Sequence, residues 1–266
     1  MMKAVIEYYK ARVQELLHKK NFEAIAEAKE EIIDSIRIKG YYVWENYYSA
    51  DQCDDLCARI DKLIEENSTT IWNDEEGADS RIYFSEKLDE KIKEFNEDKR
   101  FHNLSNRYLK ANTTVLTTLA GRIKGIGNNK GSGGGWHRDT NMIHQFKSIV
   151  YLSDVDGNNG PFEYIEGTQW KRTLFEFNQY GVALDQNRVS DEEANKILEN
   201  GKYSKVQFQA KKGTCLLVDT SGIHRGKPLI KGERYALTNY VYQDYFINDN
   251  MMNKFLNISP FRKSDK

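Results

Sequence analysis

Thr113-Thr114-Val115-Leu116-Thr117-Thr118-Leu119 is a β-branched run that divides the chain in two. Beyond it lie further strand-like runs: Phe146 to Leu152, Tyr203 to Gln209, Cys215 to Asp219 and Arg234 to Tyr242. Turn residues separate them, chiefly Asp156-Gly157-Asn158-Asn159-Gly160-Pro161, Lys212-Gly213 and Lys231-Gly232. Before it the period is helical. Val5, Tyr9, Val13, Leu16 and Leu17 recur at that spacing, as do Phe22, Ile25, Ala26, Ile32, Ile33 and Ile36. Gly40 stops the pattern, and Tyr41-Tyr42-Val43-Trp44 is short and β-prone. Ser49 and Gln52 have capping-box spacing ahead of a helix whose apolar face is Cys53, Leu56, Cys57, Ile60, Leu63 and Ile64. Residues 67–100 are polar, with Trp72, Tyr83 and Phe84 among them, and read as loops and short helices over a surface. Helices first and short strands after predict a mainly β chain with α: a barrel or jelly roll with N-terminal helices packed on one side.

Composition narrows the function classes. The chain has 266 residues, 39 % of them apolar and 12 % aromatic, enough for a full core and unlike a disordered chain. Basic and acidic residues nearly cancel (39 against 40), so no overall field points to nucleic acid or an anionic membrane. No window holds the roughly 20 apolar residues a membrane span needs, and the first residues carry charge where a signal peptide is apolar. Three cysteines, Cys53, Cys57 and Cys215, make no disulfide framework, so a reducing, cytoplasmic setting is expected. Cys53 and Cys57, one turn apart, read as core, with metal or redox use as the other possibility.

Six of the 18 glycines fall between Gly125 and Gly135. Their spacing does not match a dinucleotide fingerprint, and no Gly-Lys-Ser/Thr follows. A flexible hairpin or lid loop at a barrel mouth is expected there.

Two of the five histidines sit in distinctive surroundings. Gly135-Trp136-His137-Arg138-Asp139-Thr140 sets His137 and Asp139 two apart, on one face of an extended segment. Asp219-Thr220-Ser221-Gly222-Ile223-His224-Arg225-Gly226 puts His224 just past the apolar strand Cys215-Leu216-Leu217-Val218. Taken singly, each histidine reads equally as a hydrogen-bonded loop residue. Together with Asp139 they form the two-imidazole, one-carboxylate set that holds non-haem Fe(II) and leaves positions open. Arg234, ten residues after His224, shares a strand face with Ala236, Thr238 and Tyr240. Facing inward, its guanidinium needs an anionic partner and matches a carboxylate with two parallel hydrogen bonds. Facing outward, it is a surface salt bridge, for instance with Glu233.

This set resembles the phytanoyl-CoA dioxygenase-like family of Fe(II)/2-oxoglutarate oxygenases. The likeness spans roughly 38–245, from Lys39-Gly40-Tyr41-Tyr42-Val43 through Asn159-Gly160-Pro161-Phe162-Glu163-Tyr164-Ile165-Glu166-Gly167-Thr168-Gln169. The family usually closes that last stretch with Pro-Gly-Ser-His, which this chain lacks. The resemblance implies a double-stranded β-helix core (jelly roll, cupin-like) over 38–248, with 1–37 as a helical extension of a single domain. It implies Fe(II) on His137, Asp139 and His224. It also implies 2-oxoglutarate and O2 as cosubstrates, the distal carboxylate of 2-oxoglutarate resting on Arg234. Succinate and CO2 would leave as a small polar metabolite is hydroxylated. Related halogenases lack the carboxylate that Asp139 supplies. Lys147 shares a face with Ile149 and either faces the cosubstrate or snorkels out. Arg122 and Trp136 are substrate candidates; the alternatives are a solvated charge and a core ring. A zinc-dependent hydrolase, or a non-catalytic jelly-roll module binding a ligand at the same three residues, is the competing reading, but neither has a use for Arg234. Oligomeric state is not readable from the sequence.

Overall fold

The computed structural model describes residues 2–23 and 29–262. Ile25 and Ala26, read above as part of a helical face, lie outside those residues. The N-terminal elements are α1 (Met2–Leu17), α2 (Glu30–Lys39), β1 (Tyr41–Trp44) and α3 (Ala50–Glu66). Next come β2 (Trp72–Asn73), β3 (Asp79–Ile82), α4 (Glu90–Asn96) and α5 (Lys99–Leu109). Then follow β4 (Thr113–Lys124), β5 (Phe146–Tyr151), β6 (Phe162–Ile165), α6 (Thr173–Glu176) and α7 (Asp191–Glu199). The chain continues through β7 (Lys205–Phe208), β8 (Cys215–Asp219), β9 (His224–Gly226), β10 (Glu233–Gln243) and α8 (Asp249–Leu256).

Seven strands form one antiparallel sheet in the order β1-β8-β5-β10-β4-β3-β2; three form a second, β7-β6-β9. The period of two sorts their side chains. On β8, Cys215 and Leu217 face the helices, while Leu216 and Val218 face the second sheet. The helix side is a continuous core in which Ile33, Ile36, Ile60, Phe95 and Phe101 meet Phe146, Val150, Leu237 and Val241. Between the two sheets lie Tyr151, Phe162, Tyr164 and Phe208. This is the expected double-stranded β-helix with helices on one side.

Local signals hold where they were strong. Ser49 and Gln52 form the capping box of α3. Gly40 ends α2 at φ +100°, and a Cβ there would lie 2.3 Å from the Tyr164 hydroxyl, so both backbone and space demand glycine. All three cysteines are free; Cys53 and Cys215 are buried, Cys57 is half-buried, and burial pushes the Cys53 thiol up to about 11. That is the core reading. No described helix is long and apolar enough to cross a membrane.

Two expectations change. Residues 67–100 are not only a surface layer, because β3 pairs with β4 and extends the large sheet. The strand escapes notice because Asp79 and Arg81 are polar, yet they neutralise each other at 2.5 Å. The second change is the face that α1 buries. It packs through Ala4, Val5 and Tyr8 against Leu174, Leu184 and Met142, and Ala11 on the same side is also buried. Tyr9 (60 % exposed) and Leu16 (72 %), part of the expected stripe, face outward with Val13 and Leu17. Small residues seven apart let the helix approach closely, and that close approach wins over the larger side chains.

Candidate metal centre

The turn after β8 and the segment 135–140 bring three side chains to one end of the space between the sheets. The His137 N–H donates to the His224 carbonyl and the His224 N–H donates to the His137 carbonyl, each at 2.9 Å. That antiparallel bridge holds the imidazoles side by side, centroids 4.3 Å apart. The Asp139 N–H donates to the Thr220 carbonyl at 3.0 Å, tying the carboxylate to the same turn. Asp139 Oδ1 lies 3.7 Å from His137 Nε2, and Oδ2 lies 3.5 Å from His224 Nε2. One nitrogen or oxygen from each residue falls within 4.8 Å of the others. The glycine-rich loop closes against them: Gly133 has φ +87°, and a Cβ on it would lie 2.2 Å from the His137 ring. Only glycine fits there.

Each imidazole is set in one tautomer. Nδ1–H of His137 donates to the Gly135 carbonyl and Nδ1–H of His224 to the Gly222 carbonyl, both at 2.9 Å. Nε2 of each ring is therefore the unprotonated nitrogen, and the two Nε2 atoms flank the carboxylate. Burial lowers both imidazole pKa values, that of His224 to about 3, so both rings are neutral at pH 7. Burial alone would raise the Asp139 carboxyl, but the Lys147 ammonium overrides it and the group is held well below the usual range. Asp139 Oδ2 is buried and accepts no well-aligned hydrogen bond; Lys147 Nζ, 2.7 Å away, is an ion-pair contact only. Two neutral Nε2 atoms and an ionised carboxylate between them suit a divalent cation.

The centre opens into a cavity of about 650 Å³, within the range of small-molecule sites. Lys147 faces in, its ammonium 3.7 Å from the Tyr240 ring centroid. Arg234 also faces in with Ala236, Thr238 and Tyr240, and its buried guanidinium has no hydrogen bond or ion pair among the described residues. Arg122 and Trp136 do not line the cavity. Arg122 points to the helix side, 2.6 Å from Asp61 of α3. Trp136 packs with Ile165, Phe177 and Ile223, under the Arg225 guanidinium. Both alternate with inward residues, Arg122 with Gly121 and Ile123, Trp136 with His137, so the period of two would have placed them outside. The sequence reading missed Arg81 and Tyr83 from the region of β3, Arg188, and Met251 and Lys254 of α8, all at the cavity wall. The signal for Arg81 and Tyr83 was their spacing of two; α8 carried none.

Fold and site together define a double-stranded β-helix protein with a two-histidine, one-carboxylate centre. The chain belongs to the phytanoyl-CoA dioxygenase (PhyH) family, whose model matches residues 36–230 and so includes all three residues of the centre. Arg234 and α8 lie beyond the match. No curated protein matches the sequence. Among solved structures, EctD from S. alaskensis with bound Fe is similar at a TM-score of 0.66 and 18 % identity, over 84 % of this chain and 80 % of that one. HygX from Streptomyces hygroscopicus, with nickel and 2-oxoglutarate bound, is similar at 0.60 and 15 %, over 82 % and 88 %. The epimerase SnoN, in complex with Fe3+, alpha ketoglutarate and nogalamycin RO, is similar at 0.62 and 12 %, over 84 % and 88 %. At these identities the likeness establishes the fold.

Proposed function

We propose that this chain is an Fe(II)/2-oxoglutarate-dependent dioxygenase that hydroxylates a small polar metabolite, releasing succinate and CO2. One observation carries the reading. The Asp139 carboxylate and two neutral Nε2 atoms share a cavity with Arg234, a buried cation without an ion-pair partner among the described residues. A hydrolytic zinc centre or a binding module would leave that cation unexplained. The solved relatives carrying iron or nickel with 2-oxoglutarate support the same reading.

His137, Asp139 and His224 would hold the metal, and Arg234 would receive the distal carboxylate of 2-oxoglutarate through two parallel hydrogen bonds. Bound iron would supply oxygen activation coupled to the oxidative decarboxylation of 2-oxoglutarate. The chain's own residues do the positioning. The Gly135 and Gly222 carbonyls fix the ring tautomers, and the ionised Asp139 keeps one charge at the centre. Lys147 lies beside that charge, where it can also meet an anionic cosubstrate. Tyr151, Ile149 and Phe162 narrow the inner wall and limit water. The free cysteines fit a cytoplasmic location.

The test is anaerobic addition of Fe(II) and then 2-oxoglutarate, watching for the weak visible charge-transfer band of the chelate. The band is expected in the wild type and absent in His137→Ala. Arg234→Ala should raise the 2-oxoglutarate requirement by about 100-fold or more while iron still binds, because a buried carboxylate loses its partner. Unchanged 2-oxoglutarate affinity in that variant would overturn the role given to Arg234.

A further inference from the structure

The cavity is unevenly charged. Lys147, Arg81, Arg188, Arg234 and Lys254 line it, and among the described residues Asp139 is the only carboxylate that does. Three of these cations are accounted for. Arg81 is neutralised by Asp79 at 2.5 Å and stacks 4.5 Å from the Trp72 ring centroid. Lys147 faces Asp139, and Arg234 is the seat proposed for 2-oxoglutarate. Arg188 and Lys254 remain, and among the described residues no carboxylate lies within ion-pair distance of either. Acidic side chains at Asp74, Glu75 and Glu76 border the adjoining cleft without reaching Arg188. Elsewhere basic groups find partners: Arg225 pairs with Glu163 and Asp191, and Lys202 with Glu176.

Arg188 is also held in place. Its Nη1 donates to the Gly133 and Gly134 carbonyls, leaving Nε and Nη2 without a protein partner. Its backbone forms a bridge with His137, so its position is referenced to the metal centre. Lys254 projects from α8, which roofs the cavity with Phe255 packed 5.4 Å from both the Tyr83 and Tyr240 rings. That roof lies beyond the family match, which ends at residue 230.

We propose that the prime substrate is an anion whose carboxylate or phosphate is gripped at the cavity mouth by Arg188 and Lys254. The inference rests on the proposed oxygenase. An iron dication, Asp139, a 2-oxoglutarate dianion, Lys147 and Arg234 already sum to one positive charge, and Arg188 and Lys254 add two more that no carboxylate among the described residues offsets. A planar guanidinium donates two parallel bonds to an oxyanion, and the lysine adds a third donor.

The test uses protein loaded anaerobically with Fe(II) and 2-oxoglutarate, its chelate band verified first. Melting is followed with inorganic phosphate, with acetate and with glycerol, at matched ionic strength in sodium chloride. An oxyanion at about ten times its dissociation constant should raise Tm by about 3–5 °C, and glycerol should not. Arg188→Gln/Lys254→Gln should lose that shift while keeping the chelate band. Both side chains are exposed, so the fold should tolerate the change, and each single variant should lose part of the shift. A larger shift with phosphate identifies a phosphorylated substrate, and a larger one with acetate a carboxylate. No oxyanion shift above chloride, or a full shift in the double variant, overturns the proposal while leaving the oxygenase standing. A missing chelate band in the wild type overturns the oxygenase, and this inference falls with it.

Discussion

Among the described residues two histidine–aspartate clusters stand out, and only one of them resembles a metal site. At the cavity, His137 and His224 leave two ring nitrogens without proton donors, and Asp139 Oδ2 meets the Lys147 ammonium at 2.7 Å. At the sheet end near α1 and α5, Asp219 is also fully buried and also held well below the usual carboxyl range. Burial opposes that ionisation; His144, Lys171 and Tyr108 enforce it. Its oxygens, however, are saturated. Oδ2 accepts from Tyr108 Oη at 2.6 Å and His144 Nδ1 at 2.5 Å; Oδ1 accepts from the N–H of Ser221 at 2.9 Å and of Gln145 at 3.3 Å. Residue type and pKa direction do not separate the two. The hydrogen-bond inventory does: a carboxylate that accepts from four donors is a structural knot, and one flanked by two unprotonated ring nitrogens is placed as a ligand.

Breaking one residue in each cluster should separate chemistry from stability. The largest effect is expected for Asp139→Ala. Iron-dependent succinate formation should fall by about 10³-fold or more, since even outer partners of metal ligands are worth 10–100-fold. Metal content should fall with it, and Tm should stay within a few degrees. A variant that retains iron and turnover would show that the open cluster is not the centre.

Asp219→Asn should do the reverse. It leaves buried donors facing an amide and should cost about 3 kcal/mol, a fall in Tm of roughly 6–12 °C. Iron binding at low temperature should survive, by metal analysis of the folded fraction. Loss of metal without loss of stability would contradict the division drawn here.

pH sharpens the contrast. In the metal-free protein His224 stays neutral down to about pH 3, whereas an unfolded imidazole protonates near 6.5. The unfolded state therefore binds the extra proton, and stability falls as pH drops below about 6.5, by up to about 1.4 kcal/mol per pH unit for this residue. His137 adds in the same direction. Asp219 contributes its stability above the ordinary aspartate pKa and loses it only below about pH 4, so the loss between pH 6.5 and 4.5 belongs to the open cluster. Denaturant midpoints at pH 7 and 5.5 should show a shallower decline in His224→Gln, and an equal decline would reject the assignment. The smallest effect is Tyr108→Phe, which removes one of four donors to Asp219 and should cost about 1 kcal/mol, or about 2–4 °C, with turnover unchanged. A drop in turnover there would mean the clusters are coupled.

Much of this arrangement was written in the sequence. The strand patterns over 113–119, 146–152, 215–219 and 234–242 are local, because alternation and β-branching act through neighbouring residues. The capping box at Ser49, the stop at Gly40 and the spacing of His137 and Asp139 are local for the same reason, whereas His224 reaches them only through the bridge that the fold makes. The inward turn of Arg234 followed once its strand was known to have one buried face. Tertiary structure alone decided the rest. β3 is a strand because β4 offers its edge and Asp79 cancels Arg81, a pairing that local polarity conceals. Arg122 turned out to serve Asp61, 61 residues earlier in the chain. The buried face of α1 was chosen by how closely Ala4 could approach Leu174 and Leu184, and the cavity's roof by α8, which packs on Tyr83 and Tyr240. Period and propensity act over a few residues, whereas burial and ion pairing depend on whatever segment arrives from elsewhere in the chain.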